Sequence, residues 1–519
     1  MRPFFAWIGG RASQWRVRLR VKNVDQQAAL TRFGARVSKY FLSSLLVLAF
    51  ATSAWAQWSN DPGQNLALSD IPDADQVQAK VLPLSDNGFF VSWFNNNPND
   101  PPPHGYDVYL QRLNATGFEQ FAHDGDQIAK LTNSSTEDYG LDIDSQGNAL
   151  LAFLDTRFGS NQQVTVTKIS PSGEALWGPN GIQVTTGAPG AHDPKVTGTS
   201  DGGVVVAWTA TNKSTTFIVL QKFDANGHAQ WPATSLVNNG ISITENKADY
   251  SVCDLHAAED GSVIVSFSRD TGFRTNRVLY ANKLSASGKL LWGAGHVKVF
   301  TTGSLQLGNF PTFLYDGAGG AVFSWYTSSP SLQSFVQHIN ADGSEAFQHN
   351  GVPVSTNASQ IRVSPSAAYD PQTQNIYVSW EEEDSLQSVS GVYAQKIDST
   401  GTRQWTDNGV AILQLQANAE IFERTVQTAD GAFVFWVDQQ LDETGTLQGV
   451  KLDTNGGFAC SQFPVSSVQA EKSRPATAQA SNGNTVVAFQ DYRSGNSDIY
   501  IQNINPDCTL GIEQRAMKH

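Results

Sequence analysis

The stretch KFDANGHAQW at residues 222–231 decides the fold, because the same phrase recurs along the chain. It reads KISPSGEALW at 168–177, KLSASGKLLW at 283–292 and KIDSTGTRQW at 396–405. In these copies a lysine precedes a turn that contains glycine, and a tryptophan follows the turn. More degenerate copies begin at residues 112, 338, 451 and 503, so the glycine position repeats every 52 to 61 residues. Such a period indicates a repeat array.

Each unit has a second phrase upstream, a turn followed by an apolar run that ends on an aromatic residue. Examples are SDGGVVVAW at 200–208 and EDGSVIVSF at 259–267. Runs rich in valine, isoleucine and phenylalanine, bounded by glycine, aspartate and asparagine, are typical of strands entered from tight turns. We therefore expect four short strands in each unit of about 57 residues, which suits the blade of a β-propeller.

The two ends of the repeat array predict how the ring closes. The eighth unit stops soon after its third strand, and QWSNDPGQNLALS at 57–69 resembles the fourth strand of other units. We expect this N-terminal segment to complete the last blade, because closure removes exposed sheet edges. The sequence thus predicts an all-β fold, a single β-propeller over 57–512 with eight four-stranded blades. Seven blades are the alternative.

Residues 1–56 are predicted to be a basic leader that contains a secretory signal peptide. The apolar stretch FLSSLLVLAFATSAWA at 41–56 ends in a small-x-small cleavage signature before Gln57. A translation start at Val37 would give this signal a basic region of ordinary length. Residues 513–519 form a C-terminal tail. We expect a secreted or periplasmic protein with no stable membrane insertion after signal cleavage.

Charge divides at the same boundary. Nine of the 34 basic residues and one of the 48 acidic residues lie in 1–56, so the rest of the chain has a net charge of −22. A chain this acidic repels phosphate backbones, and we expect no nucleic-acid partner. The nine histidines are scattered without metal-ligand spacing, so we expect no metal site.

The Gly-x-x-x-Trp phrase resembles the tryptophan-docking motif of eight-bladed, quinoprotein-like propellers, and the units resemble repeats of secreted bacterial proteins. In that group each tryptophan stacks on the glycine peptide of the next blade. The resemblance implies a structural role for five tryptophans: Trp58, Trp177, Trp231, Trp292 and Trp405. Phe121 and Phe347 take the tryptophan position in two units. The adjacent-cysteine pair of the quinoprotein enzymes is absent, so no cofactor is expected.

The same resemblance implies a disulfide. Cys460 occupies the tryptophan position of the seventh unit, and Cys508 occupies the glycine position of the eighth. If the tryptophan position of one unit docks on the glycine position of the next, the two sulfurs lie together. A disulfide between them is feasible in an oxidising compartment. We therefore predict a Cys460–Cys508 disulfide, with two unpaired buried thiols as the alternative. Cys253 is left over and is predicted to be a buried small hydrophobic side chain.

The candidate binding face is the one that carries the long, variable loops, since functional sites concentrate in such loops on rigid scaffolds. Candidate ligand-binding residues lie just before the first strands of successive blades, near the expected channel mouth: His192, Tyr250, Arg362, Arg424 and Arg474. With Arg157, Arg269 and Arg493 they would form a basic rim able to hold carboxylates. We expect Arg157 and Arg493 to form ion pairs within their blades, with Asp155 and Asp491.

These observations favour a monomeric, non-catalytic binding or scaffold protein that recognises a protein or a polysaccharide through this face. The alternative is a glycan-cleaving enzyme of sialidase or lyase type that acts on an acidic polysaccharide. Its candidate catalytic residues are Tyr250, Glu381 and Glu423. Propellers host both classes, so the fold does not choose between them.

Overall fold

The computed structural model describes residues 58–512, apart from 100–104, 132, 134–135, 159–161, 187–189, 213–214, 233–239, 246 and 273–275. Over these residues β-strands alternate with tight turns, and one 3-10 turn, Glu259–Gly261, is the only helical element. None of the described segments forms a helix long and apolar enough to cross a membrane. The predicted leader, the predicted cleavage site before Gln57 and the predicted tail at 513–519 lie outside the described residues.

Eight antiparallel sheets make up the fold, and each sheet is one blade. Blades 1 to 4 use consecutive strands. Blade 1 contains β2 Asp75–Pro83, β3 Phe89–Asn96, β4 Asp107–Leu113 and β5 Asp126–Ala129; blade 2 contains β6 Gly140–Ile143, β7 Ala149–Asp155, β8 Gln163–Ile169 and β9 Ile182–Gln183. Blade 3 contains β10 Gly190–Gly198, β11 Val204–Asn212, β12 Thr215–Phe223 and β13 Ile241–Ile243; blade 4 contains β14 Asp249–Ala257, β15 Val263–Asp270, β16 Val278–Leu284 and β17 Val297–Phe300.

Blades 5 to 8 complete the ring. Blade 5 contains β18 Ser304–Leu305, β19 Phe313–Tyr315, β20 Ala321–Ser329, β21 Gln333–Ile339 and β22 Val352–Pro353; blade 6 contains β23 Gln360–Asp370, β24 Asn375–Asp384, β25 Ser390–Ile397 and β26 Val410–Ala411. Blade 7 contains β27 Ala419–Thr428, β28 Gly431–Gln439, β29 Gly445–Asp453 and β30 Phe458–Ala470; blade 8 contains β31 Lys472–Gln479, β32 Thr485–Asp491, β33 Asp498–Ile504 and β1 Leu66–Ser69.

The N-terminal strand closes the ring, as predicted. Strand β1 pairs antiparallel with β33, and Leu66 lies opposite Ile501. The first strands of neighbouring blades contact one another all the way around, including β31 of blade 8 with β2 of blade 1. The fold is therefore an eight-bladed β-propeller, and the seven-blade alternative is wrong.

The second strand of each blade explains the continuous apolar runs in the sequence. This strand is flanked by two strands of its own sheet and covered on both faces by adjacent blades. All seven residues of β7, for example, are buried. A strand buried on both faces has no polar side to alternate with, so its sequence is uniformly apolar.

Blade 5 departs from the four-strand pattern because its innermost strand is interrupted. Strand β18 pairs with the far end of β20 through Leu305 and Thr327, and β19 pairs with the near end through Phe313 and Phe323. Residues 306–312, which include Pro311, separate the two pieces. Proline cannot donate to a ladder hydrogen bond, which accords with a break in the strand here.

The lysine that opens the repeated phrase joins adjacent blades. Lys222 Nζ lies 2.5 Å from the Asp201 carboxylate in its own blade and donates a 3.3 Å hydrogen bond to the Gly261 carbonyl of the next blade. Lys451 repeats this arrangement with Asp430 and with the Pro506 carbonyl, at 2.7 and 2.9 Å. In these two copies of the phrase, one ammonium group therefore bonds to groups of two adjacent blades.

The five tryptophans of the phrase also contact the following blade. Each donates its indole N–H to a backbone carbonyl there, at 3.0 to 3.2 Å: Trp58 to Ala115, Trp177 to Ala225, Trp231 to Ala286, Trp292 to Ala341 and Trp405 to Thr454. Their rings lie against the glycine of that blade. A Cβ added to Gly117 would approach Cδ2 of Trp58 to 2.7 Å, so a side chain does not fit there.

The predicted disulfide is present between Cys460 of blade 7 and Cys508 of blade 8, with a Cα–Cα distance of 6.5 Å. It connects the two blades at the position where other junctions have an aromatic ring. A disulfide indicates an oxidising compartment. Cys253 is buried as predicted, and burial raises the pKa of its thiol to about 12.

Candidate functional site

The innermost strands carry the candidate site, and in six blades a β-bulge interrupts their pairing. The register shifts between Val77 and Lys80 in β2, and comparable shifts occur in β10, β14, β23, β27 and β31. Five residues at these bulges have a positive φ: Gln78, Asp193, Ser364, Phe422 and Arg474. Because a bulge re-aims the side chains around it, these positions decide which residues the strand turns toward the channel.

The structure does not gather the five predicted rim residues into one cluster. They lie on or near the first strands of five different blades: His192 on blade 3, Tyr250 on blade 4, Arg362 on blade 6, Arg424 on blade 7 and Arg474 on blade 8. His192 and Arg424 are four blades apart in a ring of eight, on opposite sides of the channel. Each residue therefore has to be judged by its own surroundings.

Two of the five are interior residues with partners in the protein. Arg362 is 1% exposed, and its guanidinium donates to Glu382 at 3.2 Å and to Gln333 at 3.0 Å. Tyr250 is also 1% exposed, and its hydroxyl donates to Glu245 at 3.1 Å. Burial raises the pKa of Tyr250 to about 12. A ligand would have to displace these partners, so we leave both residues out of the proposed site.

Four further rim cations are paired with acidic residues. His192 lies 3.3 Å from Glu137, and this hydrogen bond raises the pKa of its imidazole. Arg269 lies 2.8 Å from Glu245. The predicted ion pairs within blades are confirmed: Arg157 is 2.7 Å from Asp155, and Arg493 is 2.6 Å from Asp491.

Arg424 is different, because it borders an open cavity of about 280 Å³. The cavity lies between the innermost strands of blades 5 and 6, where the interrupted first strand of blade 5 leaves space. Its lining residues include three that carry hydroxyl groups, Thr312, Ser324 and Ser366. Arg424 Nη1 donates 2.8 Å to the carbonyl of Glu423, its neighbour in the chain. Among the described residues, no carboxylate forms an ion pair with this guanidinium within 4.0 Å, although the charge of Glu423 acts on it.

Arg474 on the adjoining blade 8 also lacks an ion pair with any described residue. It is exposed and sits at the bulge of β31 with φ 49°. Lys472, two residues earlier, is instead buried and paired with Asp491 at 3.0 Å. Arg424 and Arg474 are thus the two predicted rim residues that leave positive charge unmatched.

The candidate acids of the enzymatic alternative, Glu381 and Glu423, lie on the adjoining blades 6 and 7. Glu423 is 0% exposed, and neither of its carboxylate oxygens has a hydrogen-bond partner among the described residues. Burial and then the charge of Glu423 raise the pKa of Glu381, and burial raises that of Glu423. Tyr250, the third candidate, is on blade 4 and does not belong to this pair.

A charged network that the sequence analysis missed connects the innermost strands of blades 1 and 3. Lys80 lies 2.7 Å from Asp138, and Lys195 contacts the other oxygen of the same carboxylate. Burial alone would raise the pKa of Asp138, but the two lysines lower it. Lys80 and Asp138, and likewise Asp138 and Lys195, are about 60 positions apart in sequence, so no local pattern could have linked the three residues. Asp254 and Asp193 also act on Lys195, so both lysines have acidic partners in the protein and add no free binding group.

A wide groove of about 1300 Å³ lies on the opposite face, where first strands turn into second strands. Blades 7, 8 and 1 line it, with Asp430, Lys451, Cys460 and Asn482 among the lining residues. The sequence analysis did not anticipate it, because short turns form this face. Its lysine is already paired with Asp430 and the Pro506 carbonyl.

One group of side chains in the described part of the chain has metal-like spacing. Potential ligand atoms of Asp70, His123 and Asp124 lie within 4.8 Å of one another. Both ring nitrogens of His123 are already bonded, to Glu119 at 3.1 Å and to Asp70 at 3.1 Å. This group is an exposed hydrogen-bonded cluster, and we assign no ion to it.

No protein-family model matches the chain, and no curated protein matches it. Similar solved structures include the polysaccharide lyase Uly1, with 11% identity, a TM-score of 0.41, and coverage of 89% of this chain and 95% of that chain. A puromycin hydrolase has 11% identity, a TM-score of 0.40 and coverage of 85% and 61%. The Hadza microbial sialidase Hz136 has 9% identity, a TM-score of 0.34 and coverage of 81% and 77%. At these values the likenesses carry no argument about function, and the eight-bladed fold rests on the strand pairing described above.

Proposed function

We propose that this protein is a secreted or periplasmic, non-catalytic binding protein that takes an anionic group of a polysaccharide or protein ligand beside Arg424. One observation supports the proposal above all others. A half-buried guanidinium borders an open cavity, and no described carboxylate lies within ion-pair distance of it.

An unmatched guanidinium in this position is costly for the protein alone. Taking a charge out of water without a partner costs several kcal/mol in effective terms. Arg424 has several N–H donors, of which one is used by the Glu423 carbonyl. A carboxylate or sulfate group matches the planar guanidinium fork with two parallel hydrogen bonds. An anion in the cavity would therefore remove the penalty that the free protein bears.

The size of the cavity limits what can enter. Its volume of about 280 Å³ is below the range of roughly 300–1,000 Å³ that encloses drug-sized ligands. One sugar unit or one acidic side chain fits, and the rest of a polymer would lie outside, over the rim. Arg474, exposed on the next blade, is the residue we assign to that outer part.

The compartment is consistent with such a ligand. The Cys460–Cys508 disulfide indicates an oxidising environment, and the sequence predicts a signal peptide in 1–56. Envelope and extracellular polysaccharides that carry carboxylate or sulfate groups occur in that environment. We therefore place an acidic polysaccharide ahead of a protein ligand.

The enzymatic alternative has one observation in its favour, the pair of buried glutamates with raised pKa values. A general acid in a glycosidase needs a carboxyl group of this kind. However, Glu423 is 0% exposed, and a catalytic acid has to reach the glycosidic oxygen. We therefore prefer binding to cleavage.

The test is to incubate the purified protein with polygalacturonate, alginate and dextran sulfate, with neutral dextran as the control, and to measure retention and chain cleavage together. We expect the acidic polymers to be retained without products. Arg424→Ala should weaken retention at least tenfold, the loss that follows from about 1.4 kcal/mol. Arg269→Ala is the matched control, because Arg269 is on the same face but already paired with Glu245. Release of products would establish the enzyme instead, and equal retention of dextran would refute recognition of charge.

A further inference from the structure

Glu423 occupies a position of the repeat where the other bulged blades carry no acid. It is the last residue of the bulge, immediately before the pairing of β27 with β28 resumes at Arg424. The corresponding residues of the other five bulged strands are all uncharged: Ala79, Pro194, Cys253, Pro365 and Pro475. The bulge therefore does not need a carboxylate in order to form.

Glu381 is an exception to the repeat in the same way. It directly follows the aromatic residue that ends the apolar run of the second strand. The residues that follow this aromatic position in the other blades carry no charge at neutral pH: Phe94, Leu154, Thr209, Ser268, Tyr326, Val437 and Gln490. Two acids thus lie at the junction of blades 6 and 7, at positions where the corresponding residues of the other blades compared are uncharged.

The surroundings of the pair hold little compensating charge. Glu381 is 8% exposed, and Glu423 lies wholly inside with both oxygens unbonded to any described residue. Four titratable or charged groups act on the pair directly: Tyr326 from β20, Glu383 from β24, and Glu420 and Arg424 from β27. Asp438 from β28 acts on Glu420 and so affects the pair indirectly. Arg424 is the single cation of that set, and it is also the residue that borders the cavity.

We infer that Glu423, backed by Glu381, makes anion binding at Arg424 depend on pH, with the anion held while Glu423 is protonated and released when it ionises. This inference rests on the proposed function. In the protonated state Arg424 is the only charged residue among the described residues that line the cavity, so an anion meets an unopposed guanidinium. When Glu423 gives its proton to the solvent, its carboxylate offsets the charge of Arg424 from inside the protein.

The direction of the effect follows from linkage. Burial and neighbouring acids raise the pKa of Glu423, so the proton remains bound in the range where an ordinary glutamate has lost it. A bound anion adds further negative charge and raises this pKa again. Affinity and protonation are reciprocal, so the anion binds more tightly at low pH and more weakly at high pH.

The experiment measures the Kd of dextran sulfate at about pH 5.5 and about pH 9. Dextran sulfate is used because sulfate esters stay ionised at both pH values. The ionic strength is held constant, since salt screens the charges, and EDTA removes metal ions. We expect the Kd to rise about tenfold across this range, the change that follows if the anion shifts the pKa of Glu423 by about one unit. Glu423→Gln should abolish the rise and keep the tight Kd at high pH. Glu423→Ala introduces the residue type that blade 1 has at this position, Ala79, and it should also abolish the rise in Kd. Glu443→Gln, on an exposed turn of the same blade, is the matched control and should leave the rise intact.

The outcomes separate this inference from the proposed function. If dextran sulfate binds with the same Kd at both pH values, the inference fails and the proposed function stands. If dextran sulfate is not retained at any pH, both fail. In a second series without EDTA, calcium is added at about pH 9. If calcium restores the tight Kd of low pH, the inference fails, because the two glutamates then hold a metal ion and not a proton.

Discussion

Replacement of Trp231 is expected to weaken the junction between blades 3 and 4. The indole ring is 4% exposed, packs against Gly288 of the next blade, and donates its N–H to the Ala286 carbonyl at 3.0 Å. Trp231→Ala removes both the apolar contact and the hydrogen bond. A buried tryptophan truncated to alanine costs about 3–5 kcal/mol, since the surrounding side chains refill only part of the space.

Trp231→Phe separates the two contributions. Phenylalanine keeps most of the ring contact and leaves the Ala286 carbonyl without its donor, which costs about 1 kcal/mol. The chain itself uses phenylalanine at this position in Phe121 and Phe347, and the Phe347 ring lies close to Gly401. We therefore expect the order of stability wild type, then phenylalanine, then alanine.

The assay is urea unfolding followed by circular dichroism, with the free energy of unfolding taken from the midpoint at constant slope. Leu441→Ala is the control, because Leu441 is 92% exposed and its loss should change stability by less than about 0.5 kcal/mol. A loss below about 1 kcal/mol for Trp231→Ala would refute the reasoning that these rings hold neighbouring blades together.

Three further predictions concern stability. Double replacement of Cys460 and Cys508 by alanine should cost about 4 kcal/mol, from the chain entropy of a loop that spans 48 residues; thermal unfolding with and without reductant checks this, and an unchanged Tm would contradict it. Glu420 is buried with a pKa raised to about 8, so its native carboxyl holds a proton that the unfolded chain has lost. The free energy of unfolding should therefore fall as the pH rises from about 5 to 8, and Glu420 alone should contribute about 1.4 kcal/mol per pH unit to this fall. Urea titrations at several pH values measure the slope, and Glu420→Gln should make it less steep. Lys222→Met should cost about 1.5–3 kcal/mol, because a charged donor to two blades is lost; an unaltered urea midpoint would show that the lysine does not join them.

The site was less predictable than the fold, and Arg362 and Arg424 show why. Both arginines lie on the first strand of a blade, and both were candidates for the same rim. Arg362 is buried against Glu382, whereas Arg424 borders a cavity. The difference comes from their neighbours on other strands, which are not adjacent in the sequence.

Sequence periodicity predicted an eight-bladed ring closed by the N-terminal strand, with seven blades as the alternative, and the resemblance to tryptophan-docking propellers implied the Cys460–Cys508 pair. The blade pattern could be predicted because turn residues and apolar runs act locally and every blade repeats them, whereas the cysteine pair also needed the docking geometry that the resemblance supplies. The unmatched charge of Arg424 and the buried pair of Glu381 and Glu423 could not be obtained in this way. They depend on which side chains meet across blade junctions, and on a gap where the innermost strand of blade 5 is interrupted. Burial and charge matching are properties of that packing, so only the folded ring specifies them.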